Sequence, residues 1–374
     1  MKIVHNLLLP AFLLLMSYHP TLSATENTAD KVGVFFGSYG DIDKEEEIRG
    51  LVTRTIRDKD MIPAPWLVRQ FIAWQRWLTS NKEIKEEYHA IGGASHMRET
   101  SQRQADLVAR KLEEKGLNAK GYTGFAFTFP FVAEGLAKAQ RDGVNRLIVF
   151  YQGAQHSRVT SFIVFRDVQK YLKKHPEWKV KVTAVKSFSG DPRFIDLLTA
   201  SIKERINSDF AEEPADNVCL FLPMHGNIMK WIEQGDPSYD QMMAVVEKLR
   251  QKFPENRVYY GFQNHDSYPT LKWTQPSVEI ATKEVGRDRC ENVIINGRIS
   301  FTVDSLETLY DHAIGEKSDI EEAAREAGIE KRVVAEKMFN DEPQFTSYLA
   351  ELGWEALQGK GDILPIERAP ELKP

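Results

Sequence analysis

From residue 31 onward, short apolar runs alternate with longer amphipathic ones, the pattern of an α/β protein built from doubly wound units. Residues 32–36 read as the first strand, and Gly37-Ser38-Tyr39-Gly40 as the loop at its carboxyl end. Further strands are expected over 121–129, 144–151, 179–185, 217–222, 257–262 and 292–301, with helices over 98–115, 130–141, 191–206, 239–252 and 276–285 between them. Over 66–78, Leu67, Phe71, Trp74 and Leu78 recur at helical spacing. Such a stripe is expected to face a core, the alternatives being the lip of an apolar cleft or a membrane-facing surface. The glycine pair in HAIGGASHMR (89–98) breaks one helical pattern and opens the next, where free backbone N–H groups can cradle an anion. The simplest architecture is two similar doubly wound, Rossmann-like domains with a cleft between them. The first takes 31–188 plus 341–359 and the second 189–340, and the proline- and charge-rich tail, 360–374, is expected to be disordered.

The stretch NVCLFLPMHGNIMKWIEQGDPSY (217–239) stands out because a run apolar on both faces stops at a single histidine. Pro223 ends the run and delivers His225 to the strand's carboxyl end, where open α/β sheets bind ligands. Gly226 permits close approach, and Gly235-Asp236-Pro237 reads as a turn into the next helix. A second polar cluster follows the strand expected over 292–301. There Asp304 is placed to cap a helix on which Glu307 and Asp311, four residues apart, share a face. Without a ligand, His225 is a turn histidine and the two carboxylates a solvated acidic face. Facing one cleft, imidazole and carboxylate can remove protons or bind a divalent transition metal, and spacing does not choose between these.

The chain of 374 residues is long enough for two ordinary domains with a real core. A formal charge of −5 and a pI near 6.1 supply no basic field for nucleic acid. The charge runs at 41–47 and 82–87 read as solvated helix faces. At the start, Lys2 and His5 precede an apolar stretch, 7–16, followed by small residues ending at Ser23-Ala24. That is the layout of a secretory signal peptide over 1–24 and predicts export, in a bacterium to the periplasm, or membrane anchoring where an imperfect Leu22 leaves it uncleaved. The cysteines, Cys219 and Cys290, are expected to be buried and unpaired, although an oxidising compartment would allow pairing. Two cysteines are too few for an iron–sulfur cluster held by four from one chain.

The chain resembles the ferrochelatases, which insert ferrous iron into a porphyrin. The likeness runs in order through Tyr88-His89-Ala90-Ile91-Gly92-Gly93-Ala94-Ser95, Gly124-Phe125 with Pro130 and Glu134, and Gln152 to Ser157. It continues through His225 with Gly235-Asp236-Pro237, Phe262-Gln263, Phe301-Thr302-Val303-Asp304-Ser305-Leu306-Glu307-Thr308-Leu309-Tyr310, and Phe339-Asn340-Asp341-Glu342-Pro343-Gln344-Phe345. The resemblance implies two α/β domains closing on a tetrapyrrole and assigns His225 and Glu307 to catalysis and metal handling. It implies no required cofactor, with Fe²⁺ as substrate, and porphyrin or haem as partner. Phe125, Phe127, Gln152, His156, Phe301, Asp304 and Asp311 are expected along the tetrapyrrole cleft. Peripheral membrane contact would run through the 66–78 stripe, and no oligomeric state is legible.

The departures from the family pattern are Ala126 and Phe127 for an arginine and a tyrosine, Phe129 for a histidine, His156 for a tyrosine, and Ser305 for a histidine. Each removes or relocates a polar group in or near the cleft. The leading expectation is a divalent-metal chelatase. The alternative is an exported haem- or porphyrin-binding protein, or a chelatase run in reverse to free iron from haem.

Overall fold

The computed structural model describes residues 30–264 and 271–374. The signal peptide expected over 1–24 lies outside them. In the first half come β1 (Lys31–Ser38), α1 (Ile48–Arg57), α2 (Trp66–Ala90), α3 (Met97–Glu114), β2 (Asn118–Phe125), α4 (Val132–Arg141), β3 (Arg146–Tyr151), α5 (Ser161–Lys174) and β4 (Lys181–Val185). The linking helix α6 (Pro192–Asp209) leads into β5 (Val218–Met224), α7 (Met229–Glu233), α8 (Ser238–Lys252), β6 (Val258–Phe262), α9 (Val278–Arg287) and β7 (Asn292–Ile295). A π-helix (Glu307–Glu316), α10 (Lys317–Glu326), β8 (Arg332–Ala335), α11 (Pro343–Leu357) and β9 (Ile363–Pro365) complete the chain.

The strands form two sheets, β2-β1-β3-β4-β9 and β6-β5-β7-β8, parallel throughout except that β9 runs antiparallel to β4. Parallel strands covered on both faces read as continuous apolar runs, and the period of two decides which residue meets which core. In β1, Val34 and Phe36 face the core shared by the two sheets while Phe35 faces the outer layer of α4 and α5. In β5, Leu220, Leu222 and Met224 join the shared core, and Cys219 and Phe221 pack outward under α9 and α10. Helix α3 turns Ala105, Val108, Ala109 and Leu112, spaced at one helical face, into the same core.

Four expectations are corrected. The α2 stripe does not face a core: Leu67 is 73% exposed, Phe71 60%, Trp74 56% and Leu78 55%. Helix α2 pairs with α1 through its other face, where Ala73, Ser80 and Tyr88 are buried. The tail is not disordered, because Ile363–Pro365 adds to β4 and Ile366 is buried against Val182 and the outer core of the first sheet. The cysteines are not free. Cys219 on β5 and Cys290 just before β7 form a disulfide with Cα atoms 5.9 Å apart, because β5 and β7 are neighbours with Cys219 opposite Val293. The strand expected over 292–301 also ends early, at Ile295, where a 3₁₀ turn begins at Gly297 and carries Phe301 into the gap between the sheets.

Candidate functional site

The carboxyl ends of β1, β3, β5 and β6 open on a cavity of about 350 Å³ between the two sheets, roofed by α1 and α2. Its roof supplies Ile48, Leu51, Val52, Ile56, Met61, Ile62 and Ile84 with Arg76 among them, and the strand ends supply Tyr39, Gln152, His225, Asn264, Ser305 and Glu307. A flat apolar ligand with a polar centre suits this asymmetry. Hydrogen bonds hold the sheets in fixed relation behind it. Gln155 Nε2 donates to Ile299 O at 2.8 Å, and Gly153 bridges Phe301. In the turn ahead of α8, Asp236 Oδ2 accepts from Ser157 Oγ at 2.9 Å and from Arg158 N at 2.6 Å.

His225 follows β5 directly. Its Nδ1 lies 2.7 Å from Gly226 O, and since a carbonyl only accepts, Nδ1 carries the proton and Nε2 presents its lone pair. Nε2 faces Glu307 Oε1 at 3.9 Å. The structure thus brings together the two residues singled out in sequence, both at the cavity wall and both partly exposed to it. Asn264, in left-handed conformation at φ 68° beyond β6, donates from Nδ2 to Glu307 Oε1 at 3.1 Å. Sequence reasoning missed Asn264 and also Tyr39. The one available signal was an asparagine, tolerant of positive φ, at a strand's carboxyl end.

Glu307 opens a π-helix rather than the α-helix expected. The wider i→i+5 winding still keeps Asp311 on its side. Asp311 is set behind the cavity wall, and burial, then the charges of Glu307 and Glu87, push its carboxyl well above the usual carboxylate range. Burial likewise drives up Glu316, assisted by Asp311 and opposed by a bond from Gln263 Nε2 at 2.9 Å. Asp304 caps no helix amide. Its oxygens accept from Met338 N at 3.0 Å, Asn340 Nδ2 at 2.8 Å and Thr308 Oγ1 at 3.2 Å, tying the start of the helix to the 338–340 segment.

Of the residues expected along the cleft, Gln152 and Phe301 line the cavity, whereas Phe125, Phe127, His156, Asp304 and Asp311 do not. Phe125 is buried with Met97 and Val303 behind the wall, and Phe127 sits edge-on to Tyr39. His156 is buried with Nδ1 2.7 Å from Ser161 Oγ, and burial, then nearby Lys186, lowers it to about 4.

A family model described as ferrochelatase matches residues 31–357. A ferrochelatase of Rippkaea orientalis is 30% identical over 338 residues, covering 88% of this chain and 83% of its own. One from Trichodesmium erythraeum is 29% identical, covering 87% and 83%. Among solved structures, SirB from Bacillus subtilis with Fe³⁺ superposes at a TM-score of 0.50 and 11% identity, covering 89% of this chain and 99% of that one, which shows a shared fold. These relationships favour a metal chelatase over a binding protein. With a wall suited to a flat ring and an imidazole–carboxylate pair at its polar side, the chain belongs to the ferrochelatase family, enzymes that insert a divalent metal into a porphyrin.

Proposed function

We propose that the porphyrin lies between the α1–α2 roof and the wall of His225, Glu307 and Phe301, and that ferrous iron is the metal inserted. The observation that carries the residue assignment is the approach of His225 Nε2 to Glu307 Oε1 at 3.9 Å at the wall of the cavity between the sheets. Metal entry releases two pyrrole protons. The free lone pair of Nε2 takes the two protons from the ring one after the other, passing the first to Glu307, held by Asn264, or to solvent before it accepts the second. Burial, with the charges of Glu307 and Glu87, raises the Asp311 carboxyl behind it and disfavours a second charge beside Glu307. Arg76 is the one lysine or arginine side chain lining the cavity among the described residues, so a substrate carboxylate would anchor there and fix the ring's rotation. Steady-state insertion of ferrous, zinc or cobalt ion into a porphyrin tests the activity. No turnover with any of the three would sink it.

We also propose that the protein is exported and touches a membrane. What supports export is the leader pattern over 1–24 together with a disulfide, a bond that persists in oxidising compartments. What supports membrane contact is the exposed stripe of Trp66, Leu67, Phe71, Trp74 and Leu78 on the roof helix, larger than an isolated surface residue needs. No helix among the described residues is long and apolar enough to cross a membrane. Sequencing the mature amino terminus and locating it by fractionation tests export; retention in the cytoplasm with Met1 intact would overturn it.

A further inference from the structure

The amide that opens the functional π-helix is satisfied from the other half of the molecule. The first N–H groups of a helix have no partner within it. Leu306 N, the residue before Glu307, donates to Asp41 Oδ2 at 2.9 Å, a contact across 265 residues of sequence. Asp41 follows β1, and its side chain is almost wholly enclosed. Its other oxygen, Oδ1, accepts from Ile42 N at 2.7 Å and from the hydroxyl of Tyr88, near the end of α2, and Ser95 ahead of α3 also bonds to the carboxylate. One carboxylate therefore joins the first strand's loop, the roof helix and the start of the helix bearing Glu307.

We propose that Asp41 is a positioning residue for Glu307: it caps the π-helix across the interdomain gap and fixes where the Glu307 carboxylate stands opposite His225. Each oxygen takes a backbone N–H, so an amide cannot replace the acid, because its NH₂ group would meet a donor at Leu306 or at Ile42. Burial raises the Asp41 carboxyl above its ordinary value, while the bonds from Tyr88, Ser95, Ile42 N and Leu306 N favour its charged form. Through Tyr88 the same group links the seating of the roof to the placement of Glu307, so roof and acceptor share one anchor. This rests on the reading of Glu307 as a proton acceptor.

The test is a double-mutant cycle on the full mature chain, D41N, E307Q and D41N/E307Q, scored by kcat and KM for zinc insertion into a porphyrin. The expected result is that D41N lowers kcat by roughly 10- to 100-fold while KM for porphyrin stays within about twofold, as a misplaced catalytic group does. In the E307Q background D41N adds no further loss. A wild-type kcat for D41N beside an impaired E307Q overturns the inference alone, and so does full multiplication of the two losses. An E307Q enzyme at wild-type kcat overturns the reading of Glu307 and the inference with it. If D41N does not fold, Y88F keeps the carboxylate but cuts its tie to the roof. A several-fold loss of kcat is then expected, and an unchanged kcat refutes the coupling.

Discussion

The two ends of the second sheet treat their polar groups in opposite ways. At the amino end, Arg257, Asp288, Cys290 and Lys331 cluster ahead of their strands around the Cys219–Cys290 disulfide. Burial pushes Asp288 up, but bonds from Tyr259 and Cys290 N, with Arg257 and Lys331 beside it, outweigh this and hold it below its ordinary value. Among the described residues a single buried atom there, Arg257 Nε, lacks a partner. At the carboxyl end, Gln263 Oε1, Ser305 Oγ, both ring nitrogens of His312 and Glu316 Oε2 are buried without a partner among the described residues. An unpaired buried polar group costs about 1–3 kcal/mol, so the sheet's polar groups are well paired at one end and less so at the end that faces the cavity. Stability and chemistry are thus segregated along the same four strands.

That contrast can be broken by substitutions at either end. His225→Ala should lower kcat for metal insertion by roughly 10²- to 10⁴-fold with an unchanged melting temperature, since it removes a proton acceptor from a partly exposed position. Wild-type turnover would remove His225 from the site. Cys219→Ser with Cys290→Ser should do the reverse. Opening a link across 71 residues of sequence costs about 4 kcal/mol in denaturant unfolding, with kcat at 25 °C unaltered. A loss of activity before any loss of fold would show that the two ends communicate.

A pH titration sharpens the comparison further. Burial lowers His312 to about 3 from an ordinary 6.5, so the folded protein refuses a proton that the unfolded chain accepts. Its contribution is complete above pH 6.5 and is lost as pH falls toward 3, roughly 3 kcal/mol by about pH 4. The buried acids Asp311 and Glu316, raised by burial, give the opposite slope, so the measurement is the difference between wild type and His312→Leu. An identical pH dependence of the two melting curves would refute it. The smallest effect is expected outside the sheet. Trp74→Glu should weaken binding to anionic vesicles about tenfold without altering the melt, and unchanged co-sedimentation would leave the stripe without that role.

Much of the architecture was legible because parallel strands buried on both faces leave unbroken apolar runs, as in Val218 to Leu222. His225 and Glu307 were legible because strand ends in such sheets are where side chains converge. What escaped reading depends on partners in space. Periodicity defines the apolar face of α2 but not whether anything covers it. The cysteines pair only because β7 inserts beside β5. Three residues, Ile363–Pro365, are too few to carry a strand pattern, and the composition around them suggested disorder. Asn264 and Asp41 look like ordinary turn residues until the contacts with Glu307 and Leu306 are seen.

The return of the chain to its first sheet has a consequence for how that sheet is completed. Helix α11 packs on α3, β3 and β4, and β9 closes the edge of β4, so the first half is completed by segments that follow the whole second sheet in sequence. The second sheet, by contrast, is continuous in sequence from β5 to β8 and is entire before α11 appears. The β4 edge thus depends on a distant segment for its partner, whereas the strands of the second sheet find theirs within one stretch of sequence. The chain's return works like a clasp, and removal of Ile363–Pro365 alone would strip β4 of its edge partner.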